Sequence, residues 1–141
     1  MDIRSSRTQA FAMAFTEADV AGARGAVERF AQANGLAEER AVDLVLATNE
    51  AVVNAIAYGE GRGVLRLWRD GDDMVCEIRD HGAGIAERTL DKVDPPPMTS
   101  AGGWGIWLMR RLADDVTITT GPDGTAVRIA MSLGDRRHDA S

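Results

Sequence analysis

Val64–Gly84 reads VLRLWRDGDDMVCEIRDHGAG, and it carries the clearest strand and turn signals in the chain. Its two apolar halves, Val64–Arg69 and Met74–Asp80, are separated by Asp70-Gly71-Asp72, a sequence typical of the tight turn in a β-hairpin. Because side chains alternate between the two faces of a strand, Asp80 falls on the same face as the apolar residues of the second half. The stretch therefore predicts two antiparallel strands that end in a carboxylate on the apolar face.

The residues on both sides of this hairpin predict helices and a second hairpin. Apolar residues at helical spacing, with caps before them and glycine after them, indicate the helices. The second helix is apolar at nearly every position from Val42 to Ile56, so we expect it to be buried on most of its surface. The predicted elements are a strand at Arg7–Phe15, helices at Thr16–Ala33, Glu38–Ala57 and Trp104–Asp114, and a closing hairpin of Val116–Thr120 and Thr125–Leu133.

The order of these elements predicts the fold class. Hairpins dominate over crossover connections, which favours a mostly antiparallel sheet with helices on one face, an α+β fold. The 141 residues correspond to one domain. We expect its core at residues 7–133 and a disordered polar tail at residues 134–141.

Composition excludes several classes of protein. The chain is 45% hydrophobic and 27% charged, a globular profile, and its net charge of −6 argues against direct nucleic-acid binding. One cysteine, Cys76, excludes a disulfide framework and a multi-cysteine metal site. No apolar run approaches the length of a membrane span, and Met1–Ser5 lacks the apolar core of a signal peptide. We therefore expect a cytoplasmic protein without membrane contact.

The common nucleotide-binding motifs are absent. The only lysine, Lys92, does not follow a glycine, which excludes a phosphate-binding P-loop. Neither Gly82-x-Gly84 nor Gly103-x-Gly105 has a glycine three residues further on, so the dinucleotide fingerprint fails. The two histidines, His81 and His138, accompany no triad pattern and are interpreted as surface residues.

Glu50 and Asn54 form a polar pair on the second predicted helix. They are four residues apart and share one face of an otherwise apolar helix. One interpretation is a polar stripe that faces solvent. The other is a Mg²⁺-phosphate site, because a carboxylate and an amide both offer oxygen to a hard cation or to its waters.

Asp80 and the glycines after it are the next candidates. A buried carboxylate at the end of a strand suits the exocyclic amino group of adenine, whereas the alternative is an ordinary turn aspartate. Further on, Gly102, Gly103 and Gly105 open a helix, whose free backbone N–H groups bind phosphate or whose flexibility forms a hinge. Thr125 places a hydroxyl on an apolar strand face, where it needs a partner.

Four segments in this order resemble the N, G1, G2 and G3 boxes of the GHKL ATPase superfamily, which includes gyrase B subunits and bacterial histidine kinases. The resemblance covers about Ala10 to Met131. The phrase Gly103–Leu112, followed by Asp114-Asp115-Val116, most resembles the anti-sigma-factor serine kinases of Gram-positive bacteria. The four segments are Asn49–Ile56, Asp80–Gly84, Gly103–Ile106 and Gly124-Thr125.

The resemblance implies an α/β sandwich and a role for each site residue. By resemblance, Glu50 orients or deprotonates the attacking hydroxyl, Asn54 coordinates Mg²⁺, and Asp80 binds the adenine amino group of ATP with help from Thr125. Gly82 and Gly84 let the chain pass close to the base and hinge an ATP lid at residues 86–102. Gly103 and Gly105 present backbone amides to the phosphates.

Two positions depart from the family pattern. Tyr58 follows the N box where many relatives have histidine, and Trp104 stands between the G2 glycines where arginine or a smaller apolar residue is common. Phosphoryl transfer depends on neutralising phosphate charge. The basic residues nearest to the boxes are Arg88, Lys92 and Arg110.

The sequence thus leads to one main functional hypothesis and two rivals. The resemblance implies an ATP- and Mg²⁺-dependent protein serine kinase that is also an anti-sigma factor, with a sigma factor and a STAS-domain antagonist as partners, and it suggests a homodimer. The first rival is a nucleotide-gated binding module that transfers no phosphate. The second is the ATPase domain of a histidine kinase, which the absence of a phospho-acceptor histidine helix disfavours.

Overall fold

The computed structural model describes residues 7–82 and 103–134. Its element order follows the predicted order, and most boundaries agree within two residues. The predicted lid at residues 86–102, Gly84, Arg88, Lys92 and the tail beyond Gly134 lie outside the described residues. The elements are β1 (Arg7–Thr16), a 3-10 turn (Glu17–Asp19), α1 (Val20–Ala33), α2 (Glu38–Tyr58), β2 (Arg62–Asp70), β3 (Asp73–Arg79), α3 (Gly103–Leu112), β4 (Asp115–Gly121) and β5 (Gly124–Ser132).

The five strands form one antiparallel sheet in the order β1-β2-β3-β5-β4. The two predicted hairpins, β2–β3 and β4–β5, join along the pair of β3 with β5. This pairing sets Ile78 opposite Leu65 on one side and opposite Val127 on the other, so the apolar faces of three strands coincide. The predicted α+β class with a mostly antiparallel sheet is confirmed.

Helices cover one face of this sheet, and the core lies between the two layers. Large side chains of the central strands are fully buried against α2 and α3, including those of Leu65, Ile78 and Ile129. Burying such a side chain contributes roughly 1.5–3 kcal/mol, so this layer contact supplies most of the stabilisation of the fold. The opposite face of the sheet has no helix over it within the described residues.

Helix α2 lies close to the sheet because small residues face it. Ala47, Ala51 and Ala55 recur every four residues and are at most 1% exposed. Alanine has only a methyl group beyond the backbone, so the helix axis approaches the strands closely. Thr48 Oγ1 lies 3.5 Å from Cys76 Sγ and joins α2 to β3.

Helix α2 is less buried than predicted. Val42, Leu46 and Val53 are 51%, 47% and 45% exposed, and they share the side of the helix that points away from the sheet. In a two-layer fold, the sheet covers one side of α2 and the helices α1 and α3 cover its flanks. The expectation that an almost wholly apolar helix is buried on most of its surface was therefore wrong.

By length and composition alone, α2 would also pass for a membrane span. It has 21 residues and a mean hydropathy of 1.2. In this structure it packs between α1 and α3 and against the sheet, which is the environment of a core helix.

A polar cluster fixes α3 to the rest of the domain. Arg40 at the start of α2 forms an ion pair with Asp114, which follows α3, and its Nη2 donates to the carbonyl oxygen of Ser132 at 3.2 Å. Asp114 Oδ2 also accepts the backbone N–H of Ser132 at 2.6 Å. The C-terminal end of α3 is thereby fixed to α2 and β5.

Candidate nucleotide-binding site

Asp80 lies where β3 ends, beside β5. Its backbone N–H donates to the carbonyl oxygen of Thr125 at 2.9 Å, which continues the sheet by one residue. Its Oδ1 accepts the backbone N–H groups of Gly82 at 2.9 Å and Thr125 at 3.3 Å. The two contacts of Oδ1 make Asp80 a turn aspartate and fix the orientation of its carboxylate. Within the described residues Oδ2 accepts no hydrogen bond, so this oxygen can accept one from a ligand.

Three glycines allow the backbone to close around Asp80. Gly124 has a φ of 135°, and a Cβ there would overlap the carbonyl oxygen of Asp80. A Cβ at Gly82 would overlap the carbonyl oxygen of Tyr58, where α2 ends. The third close neighbour is Gly59, whose Cβ would overlap the Asp80 carboxylate. Side chains at these positions would displace the acceptor.

The hydroxyl of Thr125 has a partner that the sequence analysis missed. Its Oγ1 lies 2.8 Å from the Oγ1 of Thr120, directly across the β4–β5 hairpin. Thr125 is buried, so this contact satisfies a hydroxyl that would otherwise cost free energy. The predicted hairpin of β4 and β5 places Thr120 opposite Thr125, so the pairing of the two strands could have revealed this contact from the sequence.

A narrow cavity joins three of the predicted residues. Asn54, Asp80 and Thr125 line it. Its volume is about 10 Å³, room for about one water molecule, so binding of an adenine ring requires the walls to move apart. The remaining lining residues are Ala51, Ala55, Tyr58, Ile78 and Val127. A carboxylate and a threonine against apolar walls fit a flat base that carries one amino group.

Glu50 and Asn54 meet the start of α3 at Gly105. A Cβ on Gly105 would lie 3.2 Å from Glu50 Oε1 and 3.2 Å from Asn54 Nδ2. The absence of a side chain at this position lets the first turn of α3, which starts at Gly103, approach both polar groups. Free N–H groups at a helix N-terminus attract anions, so phosphate oxygens would be held beside a carboxylate and an amide.

Burial raises the pKa of Glu50 above the ordinary value for a glutamate. The residue is half-buried, and so is Asn54. The interpretation as a fully solvated polar stripe therefore fits poorly, since both side chains lie on the flank of α2 that faces α3. A carboxylate with a raised pKa accepts a proton more readily, which is the property a general base needs.

The structure brings most of the predicted site residues together. Glu50, Asn54 and Gly105 meet at one end, and Asp80, Gly82 and Thr125 at the other. Arg110, a candidate for neutralising phosphate charge, instead donates from Nη1 to the carbonyl oxygen of Val116 at 3.5 Å, on the side of β4. No group of three or more His, Cys, Asp or Glu side chains that could hold a metal occurs in residues 7–82 and 103–134.

The asparagine of this site is nevertheless compatible with Mg²⁺. This cation retains several waters and takes only one or two ligands from the protein when it is bound together with phosphates. Asn54 can supply one amide oxygen next to the helix end that attracts phosphate. The donor set thus fits a Mg²⁺-nucleotide rather than an ion held by protein alone.

A match to a family model identifies the family of this chain. The profile described as "Histidine kinase-like ATPase domain" matches residues 13–131, and the chain belongs to this family. The predicted membership of the GHKL superfamily is confirmed, and the family description implies that the domain binds ATP.

Similar sequences among characterised proteins include two anti-sigma factors and a histidine kinase. The anti-sigma F factors of Bacillus velezensis and Bacillus subtilis are both 31% identical to this chain over 96 residues. These matches cover 60% of this chain and 64% of each relative, so the matched part is just under two thirds of their length. The sensor histidine kinase YxdK of Bacillus subtilis is 29% identical over 104 residues and is matched over 32% of its length.

Solved structures share the fold. One contains RsbU and RsbW domains from Mycobacterium tuberculosis, with a TM-score of 0.66 and 16% identity over 89% of this chain and 32% of that chain. Another is the SiaB–SiaC complex from Pseudomonas aeruginosa, with a TM-score of 0.65 and 12% identity over 91% of each chain. At these identities the likeness shows the architecture of the domain.

Proposed function

We propose that this protein is an ATP- and Mg²⁺-dependent protein serine kinase that acts as an anti-sigma factor in a partner-switching system. The observation that carries the proposal is the meeting of Glu50, Asn54 and the first turn of α3 at Gly105, on the same helix that borders the Asp80 cavity. One end of this arrangement suits an adenine base, and the other suits phosphates and a reacting hydroxyl.

Asp80 recognises the base in this proposal. Two backbone amides orient its carboxylate, and Oδ2 accepts the adenine amino group. A guanine base presents a carbonyl oxygen at the corresponding position, which would face the negative carboxylate. The site should therefore prefer ATP over GTP.

The phosphates occupy the other end of the site. Backbone N–H groups of α3 from Gly103 onward bind phosphate oxygens, and Asn54 holds Mg²⁺, which supplies charge neutralisation when it is bound. Gly105 keeps the helix close enough for both contacts.

Glu50 is the general base of the proposed reaction. Its carboxylate accepts the proton of a substrate serine while the serine oxygen forms a bond to the γ-phosphorus and the bond from that phosphorus to the bridging oxygen of ADP breaks. The products are phosphoserine, ADP and a protonated Glu50, which releases its proton to solvent. Partial burial supports this role because it raises the pKa of the carboxyl group.

The partners are proposed from the relatives. Two curated relatives are anti-sigma F factors, which supports a sigma factor as one partner. A STAS-domain antagonist is proposed as the substrate and second partner, in the cytoplasm, with the chain acting as a homodimer. Sedimentation at micromolar concentration tests the dimer.

A nucleotide-gated binding module remains the second candidate. It is favoured by the position of Arg110, since that guanidinium faces β4 and supplies no charge to the phosphates. Such a module would bind ATP and a partner without transferring phosphate.

Transfer of labelled phosphate distinguishes the two candidates. The protein is incubated with γ-labelled ATP, Mg²⁺ and candidate STAS-domain proteins of the host, alongside variants in which each antagonist serine is changed to alanine. Label on one serine, lost with its alanine variant, supports the kinase. Nucleotide-dependent partner binding without label supports the binding module.

A further inference from the structure

The face of the sheet opposite the nucleotide site carries a group of charged residues that the proposed function does not use. Glu77 of β3 lies directly across from Arg66 of β2 and from Arg128 of β5. Arg79, two residues further along β3, points to the same face. We call these four residues the outer arginine cluster. Three arginines and one glutamate give it a net charge of +2 in a chain whose net charge is −6.

Glu77 holds two of these arginines in place. It is 4% exposed, and its Oε1 and Oε2 accept hydrogen bonds of 2.9 Å each, from Arg79 Nε and Arg128 Nη2. Burial alone would raise the pKa of this carboxyl, but the hydrogen bonds and positive charges of the two arginines outweigh burial and lower it. Glu77 is therefore ionised at neutral pH and fully engaged.

Within the part of the chain that the structure describes, the arginines retain unused donors. Each guanidinium has five N–H groups, and Arg79 and Arg128 each direct only one nitrogen at Glu77. Arg66 forms no ion pair with any side chain in the described ranges, residues 7–82 and 103–134. One glutamate thus neutralises one of three positive charges, and the remaining donors can bind an anion.

Trp68 fixes the orientation of Arg128. The guanidinium carbon of Arg128 lies 5.2 Å from the centre of the Trp68 ring, within the range of a cation–π contact. A guanidinium fixed on one side by a ring and on another by a carboxylate loses little further freedom when it binds a ligand. This part of the cluster is preorganised.

A cavity of about 470 Å³ opens over the cluster. All four residues of the outer arginine cluster line it, together with Phe11, Ala12, Leu67 and Trp68. Ala12 is paired with Arg66, and Trp68 follows Arg66 by two residues on the same strand face, so these two residues supply the apolar lining beside the charges. The volume falls within the range of small-molecule sites, roughly 300–1,000 Å³.

We propose that this cavity is a second ligand site, specific for a small organic acid with one or two carboxylates on a flat apolar body. The carboxylates are bound by Arg66 and by the remaining donors of Arg79 and Arg128, while the body contacts Ala12 and Trp68. Bidentate pairing between guanidinium and carboxylate supplies the selectivity for acids. Neither the nucleotide nor the residues of the proposed kinase site take part, since Asp80 and Glu50 lie on the other side of the sheet.

Calorimetry and amide NMR with isophthalate, a flat dianion, test this site, with the neutral isophthalamide as the matched probe. We expect saturable binding of isophthalate alone, with one ligand per chain. Amide shifts should change along β2, β3 and β5 around Arg66, Glu77 and Arg128. Raising the salt from about 0.05 M to about 0.5 M should weaken the binding severalfold.

Three variants locate the binding. Arg66→Gln, which removes a guanidinium that pairs with no carboxylate of the described residues, should weaken isophthalate binding about tenfold. Arg29→Gln on the exposed surface of α1 is the control and should leave the affinity unchanged. Glu77→Gln should strengthen binding severalfold, because it frees two arginines and raises the charge of the cluster to +3. A variant that merely loosened the sheet would weaken binding instead.

Several outcomes would overturn the proposal. They are equal binding of isophthalamide, shifts confined to the Asp80 cavity and the start of α3, loss of isophthalate binding in Asp80→Asn, and binding of an acidic peptide but not of isophthalate. Retained isophthalate binding in Asp80→Asn, with ATP binding weakened, would support two separate sites.

Discussion

Glu50 and Glu77 are both glutamates, but their surroundings shift the pKa of their side chains in opposite directions. Glu77 is more deeply buried, yet its pKa is lowered because Arg79 and Arg128 satisfy both of its oxygens. Glu50 is only half-buried, yet its pKa is raised because it lies beside an amide and a helix end without a cation among the described residues. The depth of burial thus says little about reactivity, whereas the presence or absence of a compensating charge separates a structural carboxylate from one available for chemistry.

The sharpest test of this comparison is the activity of Glu50→Gln. Glutamine has the same shape but cannot accept the proton, so phosphotransfer should fall by about 10²- to 10⁴-fold while ATP affinity stays the same. Single-turnover transfer of labelled phosphate to the antagonist measures the effect. Glu39→Gln, at the exposed start of the same helix, is the control and should be fully active. Normal transfer by Glu50→Gln would show that Glu50, like Glu77, is not a general base.

Asp80 is an intermediate case, with one oxygen satisfied by backbone amides and the other without a hydrogen bond from residues 7–82 or 103–134. Asp80→Asn should weaken ATP by about 1.5–3 kcal/mol, the contribution of a hydrogen bond to a charged group. Calorimetry with ATP and GTP checks both the loss and the preference for adenine. Asp123→Asn, in the exposed turn between β4 and β5, should bind ATP as the parent chain does. Unchanged ATP affinity in Asp80→Asn would remove this residue from the site.

Glu77→Gln should affect stability rather than phosphotransfer. Replacing the buried carboxylate weakens two charged hydrogen bonds, and because both arginines are about half exposed, we expect a loss of about 1–2 kcal/mol at pH 7. A lowered pKa stabilises the fold above the ordinary value of 4.5 and ceases to do so as the pH falls through the folded-state value. The difference between parent and variant in urea unfolding should therefore shrink in acid. A pH-independent difference would mean that packing, not charge, causes it.

The smallest expected effect has the opposite sign. Because the pKa of Glu50 is raised, its ionised form opposes folding above about pH 4.5, and below that pH the proton is bound in both states. Glu50→Gln should therefore raise the melting temperature slightly at pH 7 and leave it unchanged near pH 3.5. Scanning calorimetry at the two pH values measures this. A lower melting temperature at pH 7 would show that Glu50 has a stabilising partner like that of Glu77.

The local sequence pattern predicted the helices and strands of this fold well. It did not predict how these elements pack against one another. The hairpin around Asp70-Gly71-Asp72, the face of Asp80 and the end of α1 all follow from alternation, spacing and turn chemistry. The exposure of Leu46 does not follow, because an apolar helix does not indicate which of its sides a second layer will cover. The close approach of Gly105 to Glu50 depends on how α3 packs, which no local pattern encodes.

The outer arginine cluster shows the same limit. Alternation along β3 accounts for the position of Glu77 opposite the apolar face, but its burial depends on Arg128, a residue 51 positions later in the chain. Only the pairing of β3 with β5 brings the two together. The predicted roles of Gly84 and of the lid at residues 86–102 stay predictions.

The row of alanines on α2 has a consequence for how this domain tolerates mutation. Ala51 and Ala55 border the narrow nucleotide cavity and also face the sheet, and each is only 1% exposed. A single added methylene would have to be accommodated by moving the helix outward, and Asn54 would move away from Asp80 with it. Substitutions that appear conservative in size and polarity should thus be among the least tolerated in the chain, whereas the exposed valines one turn away can vary freely. Selection for nucleotide binding would therefore restrict substitution at Ala51 and Ala55, although neither residue has a reactive group.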